Sequence, residues 1–415
     1  MNAQLKNFIA ACPTAFHTVS HTASILKSAG FTELKEGEAP AKNGRYFVTR
    51  NRSSLIAFKT AESLDSFMIT ASHGDSPAFK VKDNAILAGE GLCRLSTERY
   101  GGMISYSWMD RPLSIAGRAV VRTESGVETR LVDFKKPCAV IPSVAPHLDF
   151  KCDFDAKTDM IPVFADSKGF TCALEQASDA KSDDILSTDL FLYNPDPLCE
   201  LGELITAPRL DDLACVFTSL TAFLDAEASG AMPVFCVFDN EEVGSTTKQG
   251  AASTFLSDTL GAIVSAYGVN AVSVLRSSMM LSCDNAHAVH PNHPELADRN
   301  HQAKLGGGIV IKYNANQKYT SDAVSSGILK FILDRAGLPY QLYANRADMR
   351  GGSTLGNIAN TSVSLNTADV GIAQLAMHSC LETQAAADTA NMVDALRAFY
   401  SARITMNADG DYTVE

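Results

Sequence analysis

Hydrophobic positions change period several times along this chain, and the changes divide it. The stretch "AFHTVSHTASILKSAG" reads as a helix that stops at Gly30, where helices commonly end. "GRYFVTR", "SLIAFKT" and "SFMITAS" follow as short runs rich in β-branched and aromatic residues, separated by polar and Gly-containing turns. The last of these strands ends directly at His73. From about residue 86 to about residue 205 the texture becomes short strands such as "SIAGRAVVRT" and "TRLVDF" with Pro-bearing loops, and helical periodicity returns only at "KSDDILSTDLFLYN". In "LDDLACVFTSLTAFLDAEASG", Leu213, Val216, Phe217, Leu220 and Leu224 then keep the spacing of one helix face, and the strand "MPVFCVF" comes next. Helices and strands alternate to the closing helical segment "TANMVDALRAFYSARI". This order predicts an α/β fold, a sheet flanked by helices, with residues 1–85 and 206–415 forming one discontinuous domain and residues 86–205 a β-rich insertion.

A length of 415 residues suits two domains or one enlarged α/β domain. The formal net charge of -12 argues against nucleic acid or an anionic membrane as partner, because both are met by clustered Lys and Arg. Ten cysteines are scattered singly, which fits a reducing compartment better than a disulfide framework. The N-terminal residues lack the pattern of a cleaved leader, and no window approaches the length of a membrane span. The expectation is a cytoplasmic protein.

Five stretches place a His or a carboxylate where a predicted strand ends or a helix begins: "SHGDSP", "PRLDDLA", "DNEEVGS", "SCDNAHAVHPN" and "QLAMHSCLE". Each has a bland reading. "LDDLA" can be a helix N-terminus in which Asp caps backbone N–H groups, and Asp75 can be an ordinary turn residue before Ser-Pro. "HAVH" has zinc-like spacing, but Pro291 argues against a continuing helix there. Together the five suit a two-metal hydrolytic site. His73, Asp211, Glu242, Asp284 and His378 supply ligands, and Glu241 is free to take the proton of an attacking water. On an extended segment, neighbouring Glu241 and Glu242 would point in different directions, one to the water and one to a metal. Asp75 is placed to hold the ring nitrogen of His73 that faces away from the metal.

These stretches, with "PTAFHTV", "GGMISYSWMDRPLSIAGRAVV" and "NRADMRGGSTLGNI", resemble the M18 metallopeptidases, the aspartyl aminopeptidases and their relatives, in order along nearly the whole chain. The resemblance implies a catalytic domain split by a β-rich dimerisation domain, with dimers building a tetrahedral dodecamer. It implies two divalent ions per subunit, zinc foremost and Mn2+ or Co2+ as alternatives, and removal of the first residue of peptides, acidic in many members and neutral in some. Carried over, Asp211 bridges the ions, His73, Glu242, Asp284 and His378 are terminal ligands, and Glu241 is the general base. Lys312 matches the lysine that pairs with an acidic first side chain, and His147 the histidine lent to a neighbouring subunit. Read without the resemblance, Lys312 is a strand lysine facing solvent and His147 a loop residue. The family usually has Asp-Asn where this chain has Asp211-Asp212, which leaves open which Asp bridges. A metal amidohydrolase acting on a small amide would use the same ligands.

Overall fold

The computed structural model describes residues 1–87, 92–148, 153–164 and 167–415. Its largest sheet has nine strands, and the middle is built from the most uniformly apolar segments. Ser66–His73 and Ala231–Phe238 are buried along their whole length, as strands covered on both faces must be. These two pair in parallel. Met279–Cys283 joins Ser66–His73 on its other side and Asn366–Gly371 follows, also in parallel. Four neighbouring strands therefore deliver their carboxyl ends to one edge, the place where open α/β sheets bind ligands.

Alternation along Ser66–His73 sends Phe67, Ile69 and Ala71 to one face and Met68 to the other. On the first face they pack with Leu256, Leu260 and Ile263 of the helix Phe255–Tyr267. On the second lie Leu213, Val216, Leu220 and Phe223 of the helix Leu210–Asp225, with Leu396 and Phe399 of the helix Asp388–Ser401. The predicted helix face of Leu213 is thus the face that covers the sheet. Strands Ser54–Lys59 and Ile309–Tyr313 flank the parallel block in the antiparallel sense.

A second sheet of seven strands takes its members from between Ala78 and Tyr193 and has its own core, in which Phe79, Leu95, Trp108, Ile115, Leu190 and Leu192 meet. A third, of five short strands, joins Cys199–Leu201 and Leu204–Ala207 to Glu382–Ala385, Ala373–Leu375 and Ala286–His287. No helix of the described residues is long and apolar enough to cross a membrane.

Three sequence expectations change. "KSDDILSTDLFLYN" is not helical: a short 3-10 turn at Ser182–Asp184 leads into the strand Ile185–Tyr193. Leu186, Leu190 and Tyr193 mimic helical spacing, but the segment lies between Ser114–Thr123 and Ala78–Leu87, and two ladders satisfy its backbone where a helix would have left both neighbours open. Helices also form at Asn2–Ala11, which buries Leu5, Phe8 and Ile9, and at Ser167–Ser178 within the β-rich stretch. The chain ends in a hairpin, Ile404–Ala408 with Asp411–Val414, beyond the last helix.

Phe223 is fully buried, with its ring centroid 5.6 Å from that of Phe31, 5.8 Å from Phe235 and 6.0 Å from Tyr400. Phe223→Ala should therefore destabilise the fold by about 3–5 kcal/mol, read as a lower urea midpoint with an unchanged spectrum at zero denaturant.

Candidate metal centre

His73 is the last residue of its strand, and its side chain is buried. Its Nε2 lies 3.5 Å from Asp211 Oδ1, while Nδ1 is 3.0 Å from the backbone carbonyl of Asp75 and 3.4 Å from Asp75 Oδ1. The other oxygen of Asp211, Oδ2, faces His378 Nε2 at 3.4 Å, and the same nitrogen is 3.4 Å from Glu242 Oε2. Asp211 thus has one histidine at each carboxylate oxygen. His73, Asp211, Asp212 and Asp284 offer ligand atoms within 4.8 Å of one another, as do His73, Glu241 and Glu242, and Asp211, Glu242 and His378. These overlapping groups contain all six residues singled out from the sequence for metal binding and proton transfer.

Local backbone explains how they meet. Asp211 and Asp212 leave helical geometry at the start of Leu210–Asp225, and neither side chain caps the helix, so the capping reading of "LDDLA" is set aside. Glu241 and Glu242 are not on an extended segment. Asn240 takes a left-handed conformation (φ 61°), which Asn tolerates, and Glu241–Val243 forms a 3-10 turn that brings both carboxylates toward His73. Asp284 follows its strand, and a Cβ at Gly371 would stand 1.9 Å from the Asp284 carbonyl, so that strand neighbour must be glycine. His378 sits between Ala373–Leu375 and Glu382–Ala385 with φ 67°.

The cluster is electrostatically unsatisfied as it stands. Burial first, and then neighbouring Asp211, pushes Glu242 well above the usual carboxylate range. Burial raises Asp212 and Asp284 in the same way and brings Glu241 up to about 8. Burial works against charge on His378, but Asp211 and Glu242 outweigh it and hold the ring at about 10. Asp211 goes the other way: His378 and His73 hold it below the usual range despite burial. Asp211 Oδ1, Asp212 Oδ1 and Glu242 Oε1 are buried without a hydrogen-bond donor. Orphaned carboxylate oxygens facing imidazole nitrogens are the donor set of a divalent cation of the zinc type, so the residues present fit such an ion.

The family model described as aminopeptidase I zinc metalloprotease (M18) matches residues 8–400. The chain belongs to the M18 family. A relative called probable M18 family aminopeptidase 2, from Clostridium acetobutylicum, is 40% identical, with 96% of this chain and 98% of the relative covered. Among solved structures, a cryo-EM structure of the Ape4 and Nbr1 complex matches with a TM-score of 0.92 at 30% identity, covering 96% of this chain and 85% of that one. The S. cerevisiae mApe1 dodecamer matches with a TM-score of 0.87 at 25% identity, covering 96% of each chain. This protein is accordingly a metallo-aminopeptidase, a hydrolase of the M18 zinc metalloprotease family.

The remaining expectations for this M18 chain fall out as follows. Asp75 lies against His73 as expected, and its carboxylate also accepts the backbone N–H of Glu241 and of Glu242, each at 3.2 Å. Lys312 is buried rather than solvent-facing, and its Nζ donates to the carbonyls of Asp284 (2.7 Å) and Asn285 (3.3 Å) with Asp284 Oδ2 at 3.7 Å. His147 is exposed in the turn at 146–148, outside the ligand groups. Of "HAVH", His287 lies in a two-residue strand and His290 packs on His293, so no helix pairs them.

Sequence reading missed Glu382. This buried carboxylate accepts the backbone N–H of Asp211 through Oε2 (2.9 Å) and of His378 through Oε1 (2.7 Å), clamping two segments that both reach the centre. Its place four residues after His378 was the available signal.

Because like charges oppose folding until a cation joins them, zinc added to metal-free protein should raise its melting temperature, by about 2.7 kcal/mol of stability at a hundredfold excess over Kd. Calorimetry with and without zinc tests this. An unchanged transition would mean that the cluster is not a metal centre.

Proposed function

We propose that this chain is a di-metal aminopeptidase that removes the first residue of peptides, with Asp211 shared between the two ions. The observation that carries this reading is the pair of contacts from Asp211, Oδ1 toward His73 and Oδ2 toward His378. A carboxylate presenting one oxygen to each of two ligand groups is what a bridging position requires. His73, Asp284, Glu242 and His378 complete the two groups, and the same geometry favours Asp211 over Asp212 as the bridge. Zinc fits the mixed imidazole and carboxylate donors, with Mn2+ or Co2+ as alternatives.

When bound, such ions supply Lewis-acid polarisation of the scissile carbonyl, a more acidic water and an anchor for the free α-amino group. The chain supplies the rest. Glu241, raised by burial, accepts the proton of the attacking water and returns it to the departing amine. Asp75 fixes the backbone of Glu241 and the far nitrogen of His73, so base and ligand keep their relative positions.

For the first residue we assign acidic side chains, on the ground that Lys312 is a fully buried cation beside Asp284. A substrate carboxylate able to take the third N–H of this ammonium would be favoured over a neutral side chain that cannot answer it. Neutral first residues form the second reading, and the same lysine favours it: two of the three N–H donors of an ammonium already serve the Asp284 and Asn285 carbonyls. We further propose the division into a catalytic domain, residues 1–85 and 206–415, and an inserted dimerisation domain, residues 86–205, with the second-sheet strand Ala78–Leu87 spanning the first boundary. In this reading the dimers assemble as a tetrahedral dodecamer, exposed His147 serves a neighbouring subunit, and the protein acts in the cytoplasm.

Peptides beginning with Asp, Glu, Leu, Ala and Lys, each with a free or acetylated N-terminus, separate these readings. Cleavage confined to free N-termini and fastest for Asp or Glu is expected. A preference for Leu would move the assignment to neutral residues, and hydrolysis of small amides alone would move it to an amidohydrolase. Glu241→Gln should keep both ions and lose about 10²–10⁴ in kcat, measured by metal analysis beside steady-state rates. His73→Ala and Asp284→Ala should each lose metal, and two tightly held ions in either variant would overturn those ligands. Lys312→Ala should slow acidic substrates more than neutral ones, so an equal drop on both would remove Lys312 from the pocket.

A further inference from the structure

The strand Cys93–Tyr100 belongs to the second sheet, yet the turn that ends it reaches the metal centre of the first. Tyr100 Oη donates to Asp75 Oδ2 at 2.7 Å and accepts from Asn240 Nδ2 at 2.9 Å. Asp75 is the acceptor for the Glu241 and Glu242 N–H groups, and Asn240 is the left-handed residue that starts their turn. The far side of Asn240 is held as well, its Oδ1 accepting from Thr247 Oγ1 (2.9 Å) and Gln249 Nε2 (2.7 Å). One phenol hydroxyl therefore joins both anchors of the Glu241–Glu242 turn. Its ring is fixed from the second sheet by Phe191, edge-on at 5.3 Å.

The next two residues continue the contact. A Cβ on Gly101 (φ 73°) would lie 3.1 Å from Glu242 Cβ, so glycine lets the turn pass directly under that ligand. The carbonyl of Gly102 accepts from His378 Nδ1 at 2.5 Å, which leaves Nε2 to face Asp211 and Glu242, and Ile104 N donates to the His378 carbonyl at 3.0 Å.

We propose that Tyr100 is a positioning residue of the metal centre, and that the turn Tyr100–Gly102 is the strut through which the second sheet sets Glu241, Glu242 and His378. A tie serving only to hold two sheets together would not need to end on both anchors of the catalytic turn. Removing the hydroxyl leaves Asn240 Nδ2 without its acceptor and takes from Asp75 Oδ2 the shorter of its two hydrogen bonds, so only the longer backbone N–H contacts of Glu241 and Glu242 then hold the carboxylate beside His73 Nδ1, 3.4 Å from Oδ1. The proposal rests on the di-metal reading above.

The test is zinc-loaded Tyr100→Phe beside wild type and His73→Ala. Zinc release to a chelator, kcat and KM on the best peptide of the panel, and melting temperature are measured on folded protein of wild-type assembly size. The expected result is zinc release about 10- to 100-fold faster, with a lower kcat and KM close to wild type. Wild-type release and kcat, even with a lowered melting temperature, would make Tyr100 a structural tie and overturn the proposal. His73→Ala keeps the two failures apart. If it loses zinc while Tyr100→Phe behaves as wild type, this inference alone falls. If wild type itself binds fewer than two zinc ions by metal analysis, the di-metal reading falls and takes the strut with it.

Discussion

Like charge held out of water is the constraint around which this structure is arranged. Asp211, Asp212, Glu241, Glu242 and Asp284 converge at one edge of the main sheet, and ligand atoms from them and from His73 fall within 4.8 Å in overlapping sets. Two like charges about 4 Å apart cost on the order of 4 kcal/mol even at an effective dielectric near 20, so such a group does not gather by default. The four parallel strands force the meeting. Their carboxyl ends leave the sheet side by side, and their cores are too apolar to let one strand slip without exposing a face of Phe67, Ile69 or Val234. Packing free energy thus opposes electrostatic repulsion, and a bound cation relieves what remains.

The supporting interactions run through backbone more than through side chains. Asp75 accepts the N–H groups of Glu241 and Glu242, Glu382 those of Asp211 and His378, and Lys312 donates to the carbonyls of Asp284 and Asn285. Each support grips a segment that carries a cluster residue; Asp75 and Glu382 leave the oxygens of Glu242 and Asp211 open, while Lys312 also stands 3.7 Å from Asp284 Oδ2. This separates the work of holding from the work of ligating, and the orphaned oxygens of Asp211 and Glu242 are the visible result. It also means that loss of a support should disturb geometry before it disturbs charge.

That separation explains what could be read from the sequence. His73, Asp284 and the Glu241–Glu242 pair were legible because each follows a strongly apolar strand, a position with functional meaning in open sheets. Glu382, Asn240 and Tyr100 were not: Glu382 had only its place four residues after His378 to mark it, and Asn240 and Tyr100 act through side-chain contacts with each other and with Asp75 that only the fold brings together. The Glu241–Glu242 segment was expected to be extended, and the left-handed Asn240 that makes it a 3-10 turn depends on Tyr100 and Gln249, which arrive from elsewhere in the chain. Most of the main sheet was readable for a simpler reason, since burial on both faces leaves little choice of residue. Ile185–Tyr193 was not readable, because its apolar spacing suits a helix and two neighbouring strands decide otherwise.

Asp212 shows how a departure from the family pattern can be chemically small. Where the M18 family usually has Asn, this chain buries a carboxyl that accepts the His73 backbone N–H through Oδ2 at 3.3 Å. Burial, with Asp284 and Asp211 adding to it, pushes this group well above the usual carboxylate range. The shift favours the protonated carboxyl, which offers one donor and a remaining acceptor on the outline of an amide, much as Asn does. Its neighbour Asp211, with an imidazole at each oxygen, is held on the charged side. The surroundings thereby shift adjacent aspartates in one buried cluster in opposite directions, and charge is favoured on the residue that the proposed bridge requires.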